Sequence, residues 1–164
     1  MQSIITENAE ETQKFAAELA EKFIRQPAEK KINKALILAL EGELGAGKTT
    51  FTKGFSKALG VKEKVLSPTF VLIHKHKIHT PHSTFNILYH IDVYRLNSEK
   101  DLLKLGVKEI FANPENIVLI EWADRVKKIV PKNAAWIHFE HIDPEAEPSV
   151  RYGAGKNKRR VTIK

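Results

Sequence analysis

The sequence predicts an α/β fold of three layers, in which a parallel core sheet carries added antiparallel strands. Three observations predict it. The uninterrupted apolar run Ala35-Leu36-Ile37-Leu38-Ala39-Leu40 reads as a strand buried on both faces. A glycine-rich octapeptide, Gly42-Glu43-Leu44-Gly45-Ala46-Gly47-Lys48-Thr49, follows at once; Phe51, Phe55 and Leu59 then recur at four-residue spacing until Gly60, which marks a helix and its stop. A second apolar run, Ile117-Val118-Leu119-Ile120, ends in the acid Glu121.

The remaining elements follow in order. Residues 8–26 read as a helix, because Phe15, Leu19 and Phe23 with Ala16, Ala20 and Ile24 form one apolar face. Asn8 and Glu11 have the spacing of a capping box. Residues 30–34 form a polar linker. From residue 64 the pattern turns to strands. Phe70-Val71-Leu72-Ile73 and Asn86-Ile87-Leu88-Tyr89-His90-Ile91, separated by a polar stretch containing Pro81, predict an antiparallel hairpin with a long tip. Residues 98–105 predict a short helix capped by Ser98 and ended by Gly106. Residues 122–130 read as helical up to Pro131. Residues 135–142 and 159–163 read as late strands, paired across Gly153-Ala154-Gly155. No internal repeat is visible.

A chain of 164 residues is expected to form one domain, spanning 1–164, and 42% hydrophobic residues suffice for a core. The absence of cysteine excludes disulfides and thiol catalysis. No apolar run reaches the roughly 18–20 residues that span a bilayer, and the N-terminus lacks a basic-then-apolar signal pattern. A cytoplasmic protein with no membrane contact is expected. The net charge of +7 permits contact with nucleic acid, but the lysines are mostly dispersed, as on a solubilising surface. Lys156-Asn157-Lys158-Arg159-Arg160 is the local exception.

The octapeptide fits G-x-x-x-x-G-K-[ST], the phosphate-binding P-loop, and makes the predicted fold P-loop NTPase-like. Glycines let the backbone turn tightly and bring its N–H groups to phosphate oxygens, so Gly45, Ala46 and Gly47 are nucleotide-binding candidates. The following helix points its positive dipole end at the same oxygens. Lys48 is expected to reach the β- and γ-phosphates, and the Thr49 hydroxyl to ligate magnesium. Thr50 is either a further phosphate contact or an ordinary first-turn residue. Hydrolysis also needs a metal-holding carboxylate and a group that orients water. Glu121, at a strand end, suits the first role. Asp92, within His90-Ile91-Asp92-Val93-Tyr94-Arg95, could hold a metal-bound water or orient the attacking one. Lys48, Asp92 and Glu121 are thus the catalytic candidates, and Thr49 and Glu121 the metal ligands. Ser67-Pro68-Thr69 stands where a switch-like segment could sense the γ-phosphate. His74, His76, His79 and His82 fall at the expected hairpin tip; with no cysteine and no second ligand pair, a solvated loop fits them better than a zinc site.

Four motifs in this order, the octapeptide with Thr50, Ser67-Pro68-Thr69-Phe70, His90-Ile91-Asp92-Val93-Tyr94-Arg95-Leu96 and Leu119-Ile120-Glu121-Trp122, resemble the bacterial TsaE family, the ATPase of tRNA threonylcarbamoyladenosine (t6A) biosynthesis. The resemblance implies ATP and Mg2+ as cofactors and weak hydrolysis by the chain alone. It implies action with a TsaB–TsaD complex, in which TsaD carries the transfer site, on adenosine 37 of tRNAs reading codons that begin with A. Contact with tRNA would be indirect or transient. By position it gives the P-loop to the nucleotide, Thr49 and Glu121 to magnesium, a switch-like role to Ser67-Pro68-Thr69 and a role in hydrolysis to Asp92. A first-helix threonine contacts nucleotide in the family, and Thr12 is the candidate here. The long His-rich tip and the basic residues 152–160 depart from the family pattern.

Two other classes remain open on the residues alone. A small-molecule P-loop kinase would usually carry an arginine-rich lid; between residues 95 and 135 only Arg95 and Arg125 occur, far apart. A nucleotide-gated RNA- or protein-binding module would tolerate loss of Asp92 but not of Lys48. A GTPase is disfavoured, because no Asn-Lys-x-Asp motif is present.

Overall fold

The computed structural model describes residues 2–25, 33–81, 83–96, 98–142 and 158–164. Its strands are β1 (Gln2–Thr6), β2 (Leu36–Gly42), β3 (Ile73–Lys77), β4 (Ile87–Asp92), β5 (Asn116–Glu121), β6 (Ala135–His141) and β7 (Arg159–Ile163). The α-helices are α1 (Ala9–Ile24), α2 (Lys48–Ala58), α3 (Glu99–Lys104) and α4 (Val107–Ala112), and a 3-10 turn spans Ala123–Val126.

All seven strands join one sheet in the order β1-β7-β6-β2-β5-β4-β3. β6, β2, β5 and β4 run parallel. β3 adds antiparallel to β4 at one edge, and β7 and β1 add antiparallel beyond β6. The two central strands, β2 and β5, are apolar at successive positions because both faces are covered. Leu38, Leu40, Ile117 and Leu119 pack with Phe15, Phe51 and Phe55 of α1 and α2. Ile37, Ala39, Val118 and Ile120 pack on the other face with Leu102, Val107 and Phe111 of α3 and α4. The predicted three layers are therefore present. Phe51 centres the first face, with ring centroids 5.5–6.3 Å from Phe139, Phe55 and Phe15.

Local chemistry sets the helix ends. The Asn8 side chain accepts the Glu11 N–H at 2.8 Å. Glu11 returns its carboxylate to the N–H of Glu7, one residue before the cap, at 2.9 Å. α2 starts differently: its cap is Gly47 at φ 108°, a left-handed conformation that only glycine adopts freely, with no side-chain bond.

Several elements differ from the sequence reading. β3 begins at Ile73, three residues later than expected. Phe70 to Leu72 form a turn in which the N–H groups of Val71 and Leu72 both donate to Pro68 O, at 2.9 and 2.7 Å. His74 and His76 therefore lie within β3 rather than at the tip, and His76 is buried; His82 lies outside the described residues. Gly106 ends α3 as predicted but also opens α4, at φ 74°. The expected helix at 122–130 is only the short 3-10 turn. β1 had no sequence signal. The Gly153-Ala154-Gly155 turn, residues 30–32 of the linker and residues 152–157 of the basic segment lie outside the described residues, although β6 and β7 do pair. No helix among the described residues is long and apolar enough to cross a membrane.

α1 and α2 meet at backbone distance through Gly54. A Cβ there would lie 2.8 Å from the Gln13 carbonyl carbon and closer still to its oxygen and Cα. Glycine to alanine inside a helix ordinarily stabilises by about 0.5–1 kcal/mol. Gly54→Ala is expected to reverse that sign and destabilise by about 1–3 kcal/mol, since neither backbone can yield cheaply. Urea denaturation of both proteins measures it; an unchanged or raised midpoint would contradict the close packing.

Candidate functional site

The parallel strands β2, β4 and β5 end together, and their ends carry the polar groups. In the sheet register Leu40 is opposite Glu121, and Glu121 is opposite Asp92. Both acids are almost wholly buried, each 2% exposed. An ion so placed must be satisfied by donors, and each acid is.

Glu121 Oε2 accepts the Thr49 hydroxyl at 2.7 Å. Its Oε1 lies 2.7 Å from His90 Nε2 and 3.5 Å from Thr52 Oγ1. Asp92 Oδ2 accepts the hydroxyls of Ser67 and Thr69, each at 2.6 Å, while Oδ1 accepts the Tyr94 N–H at 2.9 Å. The Leu72 carbonyl accepts the Asp92 N–H at 3.0 Å. Asp92 thus holds the 67–72 segment by side chain and backbone together. Leu72 sits at φ 67° to close this turn, a conformation that costs a non-glycine residue roughly 1–2 kcal/mol.

The Lys48 ammonium donates to the carbonyls of Gly42 and Glu43, at 2.6 and 2.8 Å. It lies 3.6 Å from the ring centroid of Trp122, which Tyr94 contacts in turn at 4.9 Å. Burial holds the Lys48 amine below the usual lysine value, against the opposing pull of Glu121, Asp124, Asp92 and Glu43. Trp122 follows Glu121 at φ 62°, so the strand turns sharply after the acid and brings the indole over the P-loop.

These groups surround a cleft of about 350 Å3. Gly45, Gly47, Lys48, Thr49 and Thr50 line it from the loop and the start of α2, Ser67, Thr69 and Asp92 from the opposite side, and Glu121 and Trp122 from the end of β5. Of the residues picked from sequence, Ala46 and Pro68 contribute backbone only: the Ala46 N–H bonds to Glu43 O, and Pro68 O closes the 68–72 turn. Thr12 stands apart from these groups. It is fully buried in α1, bonded to Thr6 Oγ1 at 2.8 Å and to Asn8 O at 3.1 Å, and does not line the cleft. Its hydroxyl ties the start of α1 to the end of β1.

His90 and Tyr94 carry contacts that the sequence reading did not assign. The available signal was alternation: His90 and Asp92 are two apart on one strand and share a face. Among the described residues no group of three or more His, Asp or Glu side chains is gathered to hold a metal. Two of the cleft's lining groups, the Glu121 carboxylate and the Thr49 hydroxyl, stand together as hard oxygens at the head of the loop, in the small number magnesium takes from protein when phosphates and water complete its shell.

A buried parallel sheet, a glycine-rich loop leading into a helix, and strand-end acids facing it define the P-loop class of α/β folds. The family described as threonylcarbamoyl adenosine biosynthesis protein TsaE matches residues 6–149, and the chain belongs to the TsaE family. It is 32% identical over 130 residues to the tRNA threonylcarbamoyladenosine biosynthesis protein TsaE of Haemophilus influenzae, covering 79% of this chain and 76% of that one. It is 40% identical over 112 residues to the Bacillus subtilis protein of that name, covering 68% and 66%. The crystal structure of Bacillus subtilis YdiB superposes with a TM-score of 0.68 at 30% identity, over 99% of this chain and 83% of that one.

The hold on the 67–72 segment is testable. Asp92→Asn replaces one acceptor oxygen with a donor and removes the charge, and a hydrogen bond to a charged group contributes about 1.5–3 kcal/mol. Hydrogen exchange at the Val71 and Leu72 amides is expected to quicken about tenfold or more, with the β2 and β5 amides unchanged. Unaltered protection at 71 and 72 would show that Asp92 does not hold the loop.

Proposed function

We propose that this chain is the ATP-hydrolysing component of tRNA threonylcarbamoyladenosine biosynthesis, acting in the cytoplasm with a TsaB–TsaD complex. It is not the threonylcarbamoyl transferase, and it meets tRNA only indirectly or transiently. The observation that carries the hydrolytic part is the 2.7 Å contact between Thr49 and Glu121, 72 residues apart in sequence, at the head of the P-loop. It joins the two oxygen donors that a magnesium–nucleotide site needs. The family and the names of its relatives support the pathway.

In this reading the P-loop N–H groups and the start of α2 bind the phosphates of ATP. Lys48 leaves the Gly42 and Glu43 carbonyls for the β- and γ-phosphates, and the energy of the ion pair offsets those lost bonds. Thr49 and Glu121 would hold magnesium, which would supply positive charge to offset that of the phosphates. Ser67 and Thr69 turn from Asp92 toward the γ-phosphate, and the carboxylate they vacate orients water for attack on the γ-phosphorus, whose bond to the bridging oxygen breaks as ADP leaves. The indole of Trp122 and the ring of Tyr94 shelter the site from bulk solvent.

The decisive experiment measures ATP hydrolysis with and without TsaB–TsaD, alongside t6A formation on tRNA in a reconstituted system. Hydrolysis is expected to require Mg2+, to rise severalfold with the complex, and to fall at least tenfold in Glu121→Ala; t6A formation is expected to stop when this chain is omitted. Formation of t6A at full rate without the chain would overturn the assignment.

The lowered pKa of Lys48 adds a pH dependence. In the unliganded cleft the amine loses its proton at a lower pH than an exposed lysine would, and a phosphate anion draws the proton back. Affinity for ADP is therefore expected to fall as pH rises through the alkaline range below 10.5, with proton uptake on binding in calorimetry. An affinity that stays flat to 10.5 would contradict it.

A further inference from the structure

His90 stands behind the cleft, does not line it, and has no part in the mechanism above. It is fully buried, and its Nε2 lies 2.7 Å from Oε1 of Glu121. Its other ring nitrogen, Nδ1, is buried and has no hydrogen-bond partner among the described residues. A proton on Nδ1 would have no acceptor, whereas a proton on Nε2 has a carboxylate in reach. The ring therefore carries its proton on Nε2 and donates it to Oε1.

That bond divides the carboxylate. Oε1 is turned inward by His90, with Thr52 at 3.5 Å as a weaker second neighbour. Oε2 is left with the Thr49 hydroxyl. The terminal torsion of a glutamate is otherwise broad and roughly two-fold, so an unheld carboxylate would exchange its oxygens or swing away from Thr49. β4 supplies the restraint because His90 is two residues before Asp92, on the face shared with the strand-end acids.

We propose that His90 is a positioning residue that locks Glu121 so that Oε2 alone is presented beside Thr49 to the divalent cation. The proposal rests on the reading of Thr49 and Glu121 as the magnesium ligands. Groups that orient a metal ligand in this way typically change metal affinity by about 10–100-fold when removed.

The test uses the full chain and two variants that both keep a polar amide. His90→Gln places an amide nitrogen the same number of bonds from Cα as Nε2; His90→Asn places it one bond short. Mn2+ stands in for Mg2+, and free Mn2+ is titrated by electron paramagnetic resonance with saturating ADP. ADP affinity is measured separately without metal. His90→Asn is expected to weaken Mn2+ binding at least tenfold and to leave metal-free ADP affinity within about threefold, while His90→Gln binds Mn2+ within about threefold of the wild type. Equal Mn2+ affinity in His90→Asn and wild type overturns the proposal. So does equal weakening in both variants, and so does a parallel loss of metal-free ADP affinity in His90→Asn, which would mark a purely structural role. A wild-type chain that binds ADP but no Mn2+ would instead overturn the magnesium reading beneath it.

Discussion

Glu121 sits at the head of a buried strand, where its carboxylate must be satisfied by protein. It is met from two directions at once: Thr49 and Thr52 from α2, and His90 from β4. Each donor arrives only if its element is in place. The register of β4 against β5 brings His90 across, and the register of β2 against β5 sets the loop, and so the first turn of α2, beside the acid. A slip of one residue in either pairing would leave a buried charge without donors, which is far more costly than a lost apolar contact. The functional groups and the sheet register thus enforce each other.

The same logic explains the tension stored around the cleft. Lys48 is buried, bonded to two loop carbonyls and stacked on Trp122. Trp122 and Leu72, both at positive φ, are the strained non-glycine residues among those described, and both are placed by contacts to the two acids or their neighbours. Backbone strain of this kind persists where surrounding structure over-determines it, and here it falls at the cleft rim and at the end of the 68–72 turn.

What could be read from the sequence follows from how local the cause is. The strand into the P-loop, the loop and α2 were legible, because contiguous apolar residues, glycines and a four-residue repeat specify them without help. The ends of β4 and β5 were legible for the same reason, and with them Asp92 and Glu121. β1 was not: Ile4 and Ile5 are both exposed, so its identity comes from pairing with β7 rather than from an apolar pattern. β3 was displaced because Phe70 and Val71 look like strand residues, yet they lie exposed on a turn closed by Pro68. The segment from Trp122 to Pro131 was read as a helix, but its regular part is the 3-10 turn Ala123–Val126, which starts from Trp122 at positive φ. Within the site, residue types were readable at strand ends, but the bonds of Ser67 and Thr69 to Asp92, and of His90 to Glu121, depend on register across distant segments. The bond of Thr12 to Thr6, which serves the junction of β1 and α1, was not legible for the same reason, because β1 itself was not.

The displaced strand has a further consequence. β3 is the last strand on its side of the sheet, so among the described residues one row of its backbone N–H and C=O groups has no strand beside it. Such a row is a template on which other chains can pair and grow into aggregates. The sequence there is Ile73-His74-Lys75-His76-Lys77, with both lysines exposed. Two like charges along the open edge repel an incoming copy that would place its own lysines alongside. The lysines that interrupt the apolar pattern of this strand are thus also the kind of residue that blunts an open edge.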